Sequence, residues 1–399
     1  MRILHLTKRY WPHRGGVERH VRDLASGLVA DAGASVEVVV AGDGASHRTF
    51  ADNGVRVTAV ASYGSLWSLD LAPGYISAVG HALRRSPDVV HLHEPHPLGL
   101  VAWRYWQARR TMPPLVVTWH ADILRQQLLR PLYGPVQERL LAEAGAIIAQ
   151  TERHVTSSSF LPAVSQKCHV IPTGVDVDAY LDPSAVEAGR QRRASWGNPD
   201  RVVLFLGRLV YYKGVPVLLD AMARTDATLV IAGEGRDREA LQDQAARLGI
   251  ADRVRFIGDV PEADLSSVYH ACDVFVLPST ATAEGFGLVQ LEAMACGKPV
   301  VSTTLPTGVA IVNRDGETGL TVPPGDAGAL ASAMTRLLDD RAFADACGTR
   351  ARTRVQTHFS RESMVTATMA LYRDVVRACN RSRGHSGGKV PGGFRCTFC

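Results

Sequence analysis

The chain has 399 residues, of which 46% are hydrophobic and 21% charged, with 36 Gly and 21 Pro. That composition excludes disorder, collagen and coiled coil as descriptions of the whole, and it supplies apolar material for two cores. The net charge of +5 owes much to Arg381, Arg383, Lys389 and Arg395, which lie in an acid-free C-terminal stretch, so the near-neutral body argues against nucleic acid as a partner.

No run approaches the roughly 18 apolar residues that cross a bilayer, and the N-terminus turns charged at Lys8. Neither a membrane span nor a signal peptide is therefore expected, and the location read from this is cytoplasmic. Cys168, Cys272, Cys296, Cys347 and Cys379 stand singly in apolar settings, as reduced buried thiols do; Cys396 and Cys399 sit close together on a Gly-rich tail.

In chain order, short β-branched runs recur at Arg2–Leu6, Val36–Val40, Val89–His93, Leu115–Thr118 and Ala146–Ala149, the first followed by a helical pattern over Val17–Ala30. A second series follows the loop Ile171–Asp176. Its strands are Val202–Leu206, Thr228–Ala232, Val254–Ile257, Val274–Leu277, Pro299–Ser302 and Gly319–Val322, and its helices lie near Val215–Ala223, Arg236–Leu248, Leu288–Ala295 and Ala327–Leu338. The alternation predicts an α/β fold of two doubly wound Rossmann-like domains, residues 1–172 and 173–357, facing across a cleft. Amphipathic segments at Arg341–Thr357 and Glu362–Cys379 close the chain; residues 358–379 are expected as a helix packing back on the N-terminal domain and 380–399 as a disordered tail. Because ligands of open α/β sheets sit outside the carboxyl ends of strands, function is sought in the loops that follow them.

The sharpest constellation is Glu284-Gly-Phe-Gly-Leu-Val-Gln-Leu-Glu292, after the strand Val274–Leu277. Gly285 and Gly287 permit close backbone approach, and the free amides of Phe286, Gly287 and Leu288 at a helix start would face an anion. Eight positions at about 1.5 Å rise place the two carboxylates on the order of 10 Å apart, the span from sugar to ribose in a nucleotide diphosphosugar. Arg208 and Lys213, after the strand Val202–Leu206, can neutralise a diphosphate whose charge grows as the glycosidic bond breaks.

Glu284 to Glu292 resembles the acid-x7-acid motif of the retaining glycosyltransferases of family 4, which have the two-domain GT-B fold, and the resemblance runs from Met1 to about Cys379. It implies that Glu284 holds hydroxyls of the donor sugar and Glu292 the ribose diol, and that Arg208 and Lys213 grip the donor phosphates. It likewise implies that the amides of the Gly15-Gly16 loop close over the donor, that His120 of Thr118-Trp-His lies near the reacting carbon, and that the Gly233–Gly235 loop lies near the base. The combination with Gly285-Phe-Gly-Leu-Val-Gln-Leu-Glu-Ala-Met-Ala-Cys-Gly-Lys-Pro and Thr307-Gly-Val is most similar to the mannosyl/rhamnosyl transferases of bacterial surface polysaccharide (O-antigen, lipopolysaccharide) assembly. One departure stands at Thr307–Ile311, where many members carry Gly-Gly-x-x-Glu.

The expected activity is thus retaining, metal-independent hexosyl transfer, favouring GDP-mannose or a GDP-rhamnose donor, to a saccharide or lipid-linked saccharide. No cofactor is expected, since the nucleotide sugar is a substrate. Alternatives are a UDP-sugar donor, a sugar-nucleotide 2-epimerase, and a non-catalytic carbohydrate or nucleic-acid binding protein. Asp122 and His93 are acceptor-side candidates. His91-Leu-His93-Glu94-Pro-His96 looks metal-like, but nothing supplies a complete closed site, so no metal is expected and the segment reads as an acceptor-side wall; Asp176-Val-Asp178 lies in the interdomain loop and is not read as a metal clamp. Trp103-Arg104-Tyr105-Trp106, with Arg109 and Arg110, suits either peripheral contact with the inner face of the membrane or a core helix with a solvated face.

Overall fold

The computed structural model describes residues 1–13, 15–42, 44–66, 69–121 and 130–385. It divides into two compact units, Met1–Thr173 with the C-terminal segment from Arg361, and Gly174–Ser360.

The first unit is built on strands β1 (Arg2–Thr7), β2 (Ser35–Ala41), β3 (Arg48–Asp52), β4 (Val55–Val60), the two-residue pair β5 (Ser65–Leu66) and β6 (Leu69–Asp70), β7 (Val89–Glu94), β8 (Leu115–Trp119), β9 (Ala146–Ala149) and β10 (Cys168–Val170). Eight of them form one sheet in the order β10-β9-β8-β7-β1-β2-β4-β3. All pairs are parallel except β3 with β4, a hairpin turned by Asn53 and Gly54 at φ 47° and 80°. The Asn-Gly pair between two alternating runs is a strong hairpin signal, and the sequence reading passed over it. The central strands β1, β7 and β8 are buried along almost their whole length because helices cover both faces of the sheet. Leu4, Leu6, Val90, Leu92, Val117 and Trp119 face one core. Ile3, Val89 and Val116 face the other, with Val21, Leu24 and Leu28 of the helix Gly16–Ala30 and Met364, Val365 and Tyr372 of the C-terminal helix.

That C-terminal helix runs from Arg361 to His385, which corrects the expected onset of the tail at residue 380. Ser382 bonds back to the carbonyls of Ala378 and Cys379, so the Ser/Arg composition is accommodated on an exposed helical turn. Cys396, Cys399 and the rest of the tail from residue 386 lie outside the described residues.

In the second unit β11 (Val202–Leu206), β12 (Thr228–Ala232), β13 (Val254–Gly258), β14 (Val274–Leu277), β15 (Val300–Thr303) and β16 (Gly319–Val322) make an all-parallel sheet in the order β13-β12-β11-β14-β15-β16. This is the doubly wound order with its switch point between β11 and β14, the place where sheets of this kind bind their ligands. In the first unit the corresponding reversal falls between β1 and β7. Lys213 and Glu284 follow the two strands of the first reversal, and His5, His91 and His93 lie on the two strands of the second. The five described cysteines are all free thiols, and no helix among the described residues is long and apolar enough to cross a membrane.

Candidate donor and imidazole sites

In the second unit the loop after β11 forms a 3-10 turn, Tyr211–Lys213, ended by Gly214 at φ 70°. A Cβ on Gly214 would meet the Pro278 carbonyl at 1.9 Å, so only glycine lets this loop lean on the loop after β14. Thr280 N–H donates to the Tyr212 carbonyl at 2.8 Å and completes the seam. The result is a buried ion pair: Lys213 Nζ lies 2.5 Å from Glu284, which also accepts from Ser279 Oγ at 3.0 Å. Both side chains are about nine-tenths buried. Arg208 is exposed, and its guanidinium donates to Tyr212 Oη at 3.0 Å.

Gly287, at φ 71°, precedes the helix Leu288–Ala295, and among the described residues no side chain caps it. Its first amides have no intrahelical acceptor and carry the positive end of the helix dipole. Phe286 and Gln290 are buried behind them, Gln290 Nε2 donating to the Phe286 and Val309 carbonyls. The Thr307–Ile311 loop docks here too, Gly308 N–H donating to the Gly285 carbonyl at 2.7 Å. About one turn along this helix, Glu292 is 2% exposed and accepts from Tyr269 Oη at 2.6 Å. Sequence reasoning missed Ser279, Tyr269 and Tyr212, because nothing in local spacing ties them to the two glutamates.

Gly233 and Gly235 have a packing reason of their own. A Cβ on either would fall 2.2 Å from the Gly207 or Leu209 carbonyl, so these glycines let the loops after β11 and β12 run side by side.

The first unit gathers imidazoles. Strand parity sets His5 on β1 opposite His91 on β7 and His93 opposite Thr118 on β8, so all these side chains share the face packed by the helix Gly16–Ala30, which contributes His20. His93 Nε2 lies 2.9 Å from His5 Nδ1, and His93 Nδ1 lies 3.1 Å from His120 Nε2. His91 is committed to Tyr372 Oη at 2.5 Å and Thr118 Oγ1 at 2.7 Å. His93 is therefore an interior partner of His120, 2% exposed, which corrects its reading as part of an acceptor-side wall. His96 bonds Tyr75 Oη at 2.8 Å and stands apart from the cluster. Gly15, extended at φ −176°, caps the helix Gly16–Ala30, and both glycines of that loop are exposed. Asp122 lies outside the described residues.

Burial strips these rings of hydration and holds them neutral: the His5 pKa falls to about 3 and that of His20 to about 4, with His91, His93 and His120 well below their ordinary value. Glu94, on the opposite face of β7, is pushed up by burial to about 7, opposed by bonds from His96 N–H, Tyr133 Oη and Gln137 Nε2.

The helix Pro97–Gln107 bears the aromatic and basic run. Trp103 is buried, Trp106 Nε1 donates to the Ile76 carbonyl, and Arg104 pairs with Glu143. Only the Tyr105 ring, with the Arg109 guanidinium 3.7 Å from its centre, faces outward among the residues of this run from Trp103 to Trp106.

Residues 14–179 match the model of Glycosyltransferase Family 4 and residues 190–354 that of Glycosyl transferases group 1. The O-antigen chain mannosyltransferase C of Escherichia coli is 30% identical over 95% of this chain and 100% of its own. The chain belongs to glycosyltransferase family 4. A second relative of this family 4 glycosyltransferase, the D-rhamnosyltransferase WbpZ of Pseudomonas aeruginosa, is 36% identical over 70% of this chain and 71% of its own. Among solved structures it is similar to the sucrose-phosphate synthase of Thermosynechococcus elongatus (TM-score 0.80, 25% identity, 94% and 99% of the two chains). It is also similar to HepE of Anabaena in complex with UDP (TM-score 0.75, 25% identity, 94% and 100%). The fold is GT-B. The enzyme is a glycosyltransferase, which displaces the epimerase and binding-protein readings.

Proposed function

We propose that this enzyme moves mannose or rhamnose from a GDP-sugar, with retention and without a metal, to a saccharide or lipid-linked saccharide. The observation that carries the reading is the buried Lys213–Glu284 pair beside an uncapped helix start. It offers a cation and amides to a diphosphate and a carboxylate to sugar hydroxyls in one place. Charge that develops on the leaving nucleotide is met by Lys213, Arg208 and the amides of Phe286, Gly287 and Leu288, so neutralisation needs no ion. Glu292 receives the ribose diol, with Tyr269 fixing its carboxylate. No second carboxylate is assigned to a covalent sugar intermediate, so displacement on one face of the sugar follows, the leaving phosphate taking the acceptor's proton while His120 positions and stabilises. The mannosyl- and rhamnosyltransferase relatives support the donor sugar. The exposed Tyr105–Arg109 stack suits anionic headgroups, and with it we place the enzyme at the inner face of the cytoplasmic membrane.

A UDP-sugar is the second reading, favoured by the UDP complex of HepE. Thermal denaturation with GDP and with UDP separates the two: the first reading expects a rise in Tm with GDP and little with UDP, and stabilisation by UDP alone overturns it. Within the site, Glu292→Ala is expected to weaken nucleotide binding about tenfold or more, as loss of a hydrogen bond to a charged group does. His120→Ala is expected to leave nucleotide affinity within twofold and lower kcat by about 10²-fold or more. Calorimetry alongside single-turnover rates checks both, and equal losses of binding in the two variants would contradict the assigned roles.

A further inference from the structure

The imidazole cluster of the first unit does more than hold His120. One nitrogen each of His20, His93 and His120 lies within 4.8 Å of the other two, and all three residues are buried. Their geometry is that of a ligand set. His93 Nδ1 and His120 Nε2 are 3.1 Å apart, close to the roughly 3.3 Å between two nitrogens bound tetrahedrally at about 2.0–2.1 Å to one zinc ion. The His20 ring stands edge-on to both, at 79° to His120 and 71° to His93, with centroids 5.1 and 6.0 Å away. Its Nε2 is buried and has no hydrogen-bond partner, whereas its Nδ1 is tied to Thr173 Oγ1 at 3.1 Å.

Outer partners that would fix the ligating tautomers are in place for two of the three, while His120 Nδ1 is buried without a hydrogen-bond partner among the described residues. His93 can donate from Nε2 to His5 Nδ1, leaving Nδ1 bare, and His20 can donate from Nδ1 to Thr173, which is held by Gln150 Nε2 at 2.9 Å. Ligating histidines commonly donate their second nitrogen in this way. The alternative trio of His5, His91 and His93 also lies close enough, but His91 would have to abandon both Tyr372 and Thr118. Burial keeps the three ligands uncharged, so an ion need not displace protons from them near neutral pH. Three nitrogens and no oxygen select zinc, cobalt, nickel or copper over magnesium or calcium.

We propose that His20, His93 and His120 bind one divalent transition ion, with His20 moving in by about an ångström or more to close the set, and that the bound ion inhibits transfer by fixing the His120 ring through Nε2 and placing a positive charge beside it. The inhibitory part rests on the transferase role given to His120; the binding does not. The fourth coordination position stays open for water, as in three-histidine zinc sites.

The test uses the untagged chain carrying Cys168→Ser, Cys396→Ser and Cys399→Ser, so that these thiols cannot compete. Titration with CoCl2 should give visible d–d bands that saturate at one ion per chain and are displaced by ZnCl2. His20→Asn should weaken cobalt binding by more than 100-fold. Thr173→Val, which touches no ion, should weaken it by about 10–100-fold, the range typical of outer-shell partners. Circular dichroism establishes that each variant is folded. Absence of the bands, or bands unchanged in both variants, overturns the site. Zinc at saturation should lower turnover at least tenfold and EDTA should restore it, while GDP and UDP affinities stay the same; saturation with zinc at unchanged turnover overturns the inhibitory role.

Discussion

Replacing Lys213 by Met is expected to lower kcat/KM for sugar transfer by about 10²–10³-fold, equivalent to about 2.7–4 kcal/mol of transition-state stabilisation lost with one preorganised donor. A second effect accompanies it. Lys213 and Glu284 are buried together, and removing one partner of such a pair strands the other charge at a cost of about 3–5 kcal/mol. The single variant should therefore be both slow and less stable. The double variant Lys213→Met with Glu284→Gln separates the two effects, since a neutral pair of similar volume should recover most of the stability and none of the rate. Arg208→Ala, at an exposed position bonded only to Tyr212 among the described residues, should show the rate loss with an unchanged melting temperature. Steady-state kinetics and denaturant unfolding of the three variants decide the matter. A Lys213→Met enzyme within threefold of wild type would remove this lysine from the mechanism.

The first unit is expected to be acid-labile well above the carboxylate range. His5, His20, His91, His93, His96 and His120 are buried and neutral, with His5 and His96 near 3 and His20 near 4. Unfolded histidines take up protons near pH 6.5. As pH falls below that value the unfolded chain binds more protons than the folded one, so stability declines, by about 1.4 kcal/mol per pH unit for each buried ring. Glu94 works the other way. It holds its proton when folded up to about pH 7 and releases it when unfolded above about 4.5, so in this window it offsets one histidine and leaves an excess of up to five. Two uncompensated protons already remove about 3 kcal/mol per unit, against a typical total of about 5–15 kcal/mol. Urea unfolding followed between pH 7.5 and 5 should show a steep loss, and His5→Gln should flatten it by about one proton. A flat profile over that interval would contradict the burial of these rings.

Much of the scaffold was legible because parallel strands covered on both faces must be continuously apolar, as Val202-Val-Leu-Phe-Leu206 and Val274-Phe-Val-Leu277 are. The candidate donor loops stood out for a related reason: glycine beside a strand end leaves few uses besides close backbone approach. Gly214 and Gly287 bear that out with positive φ, whereas the first cause of Gly233 and Gly235 is the pair of carbonyls behind them. What stayed hidden depends on residues far apart in the chain. His5, His20, His93 and His120 come from four separate segments, and only the parity of β1, β7 and β8 sets them on one face. A cluster reading confined to residues 91–96 could not see them. The hairpin was missed although Asn53-Gly54 announces it, and the C-terminal helix outran its expected end because Arg and Ser on an exposed turn do not stop a helix already anchored by Tyr372.

The central claim is that a diphosphate is gripped by Lys213, Arg208 and the amides that follow Glu284. Calorimetric comparison of GDP with GMP, and of UDP with UMP, tests it most directly, because each pair differs by the one phosphate those groups would hold. The diphosphate of the preferred base should bind at least about tenfold more tightly than its monophosphate, and the gap should close in Lys213→Met and Arg208→Ala. Equal affinity for mono- and diphosphate in the wild-type enzyme, or a gap that survives both substitutions, would contradict the account.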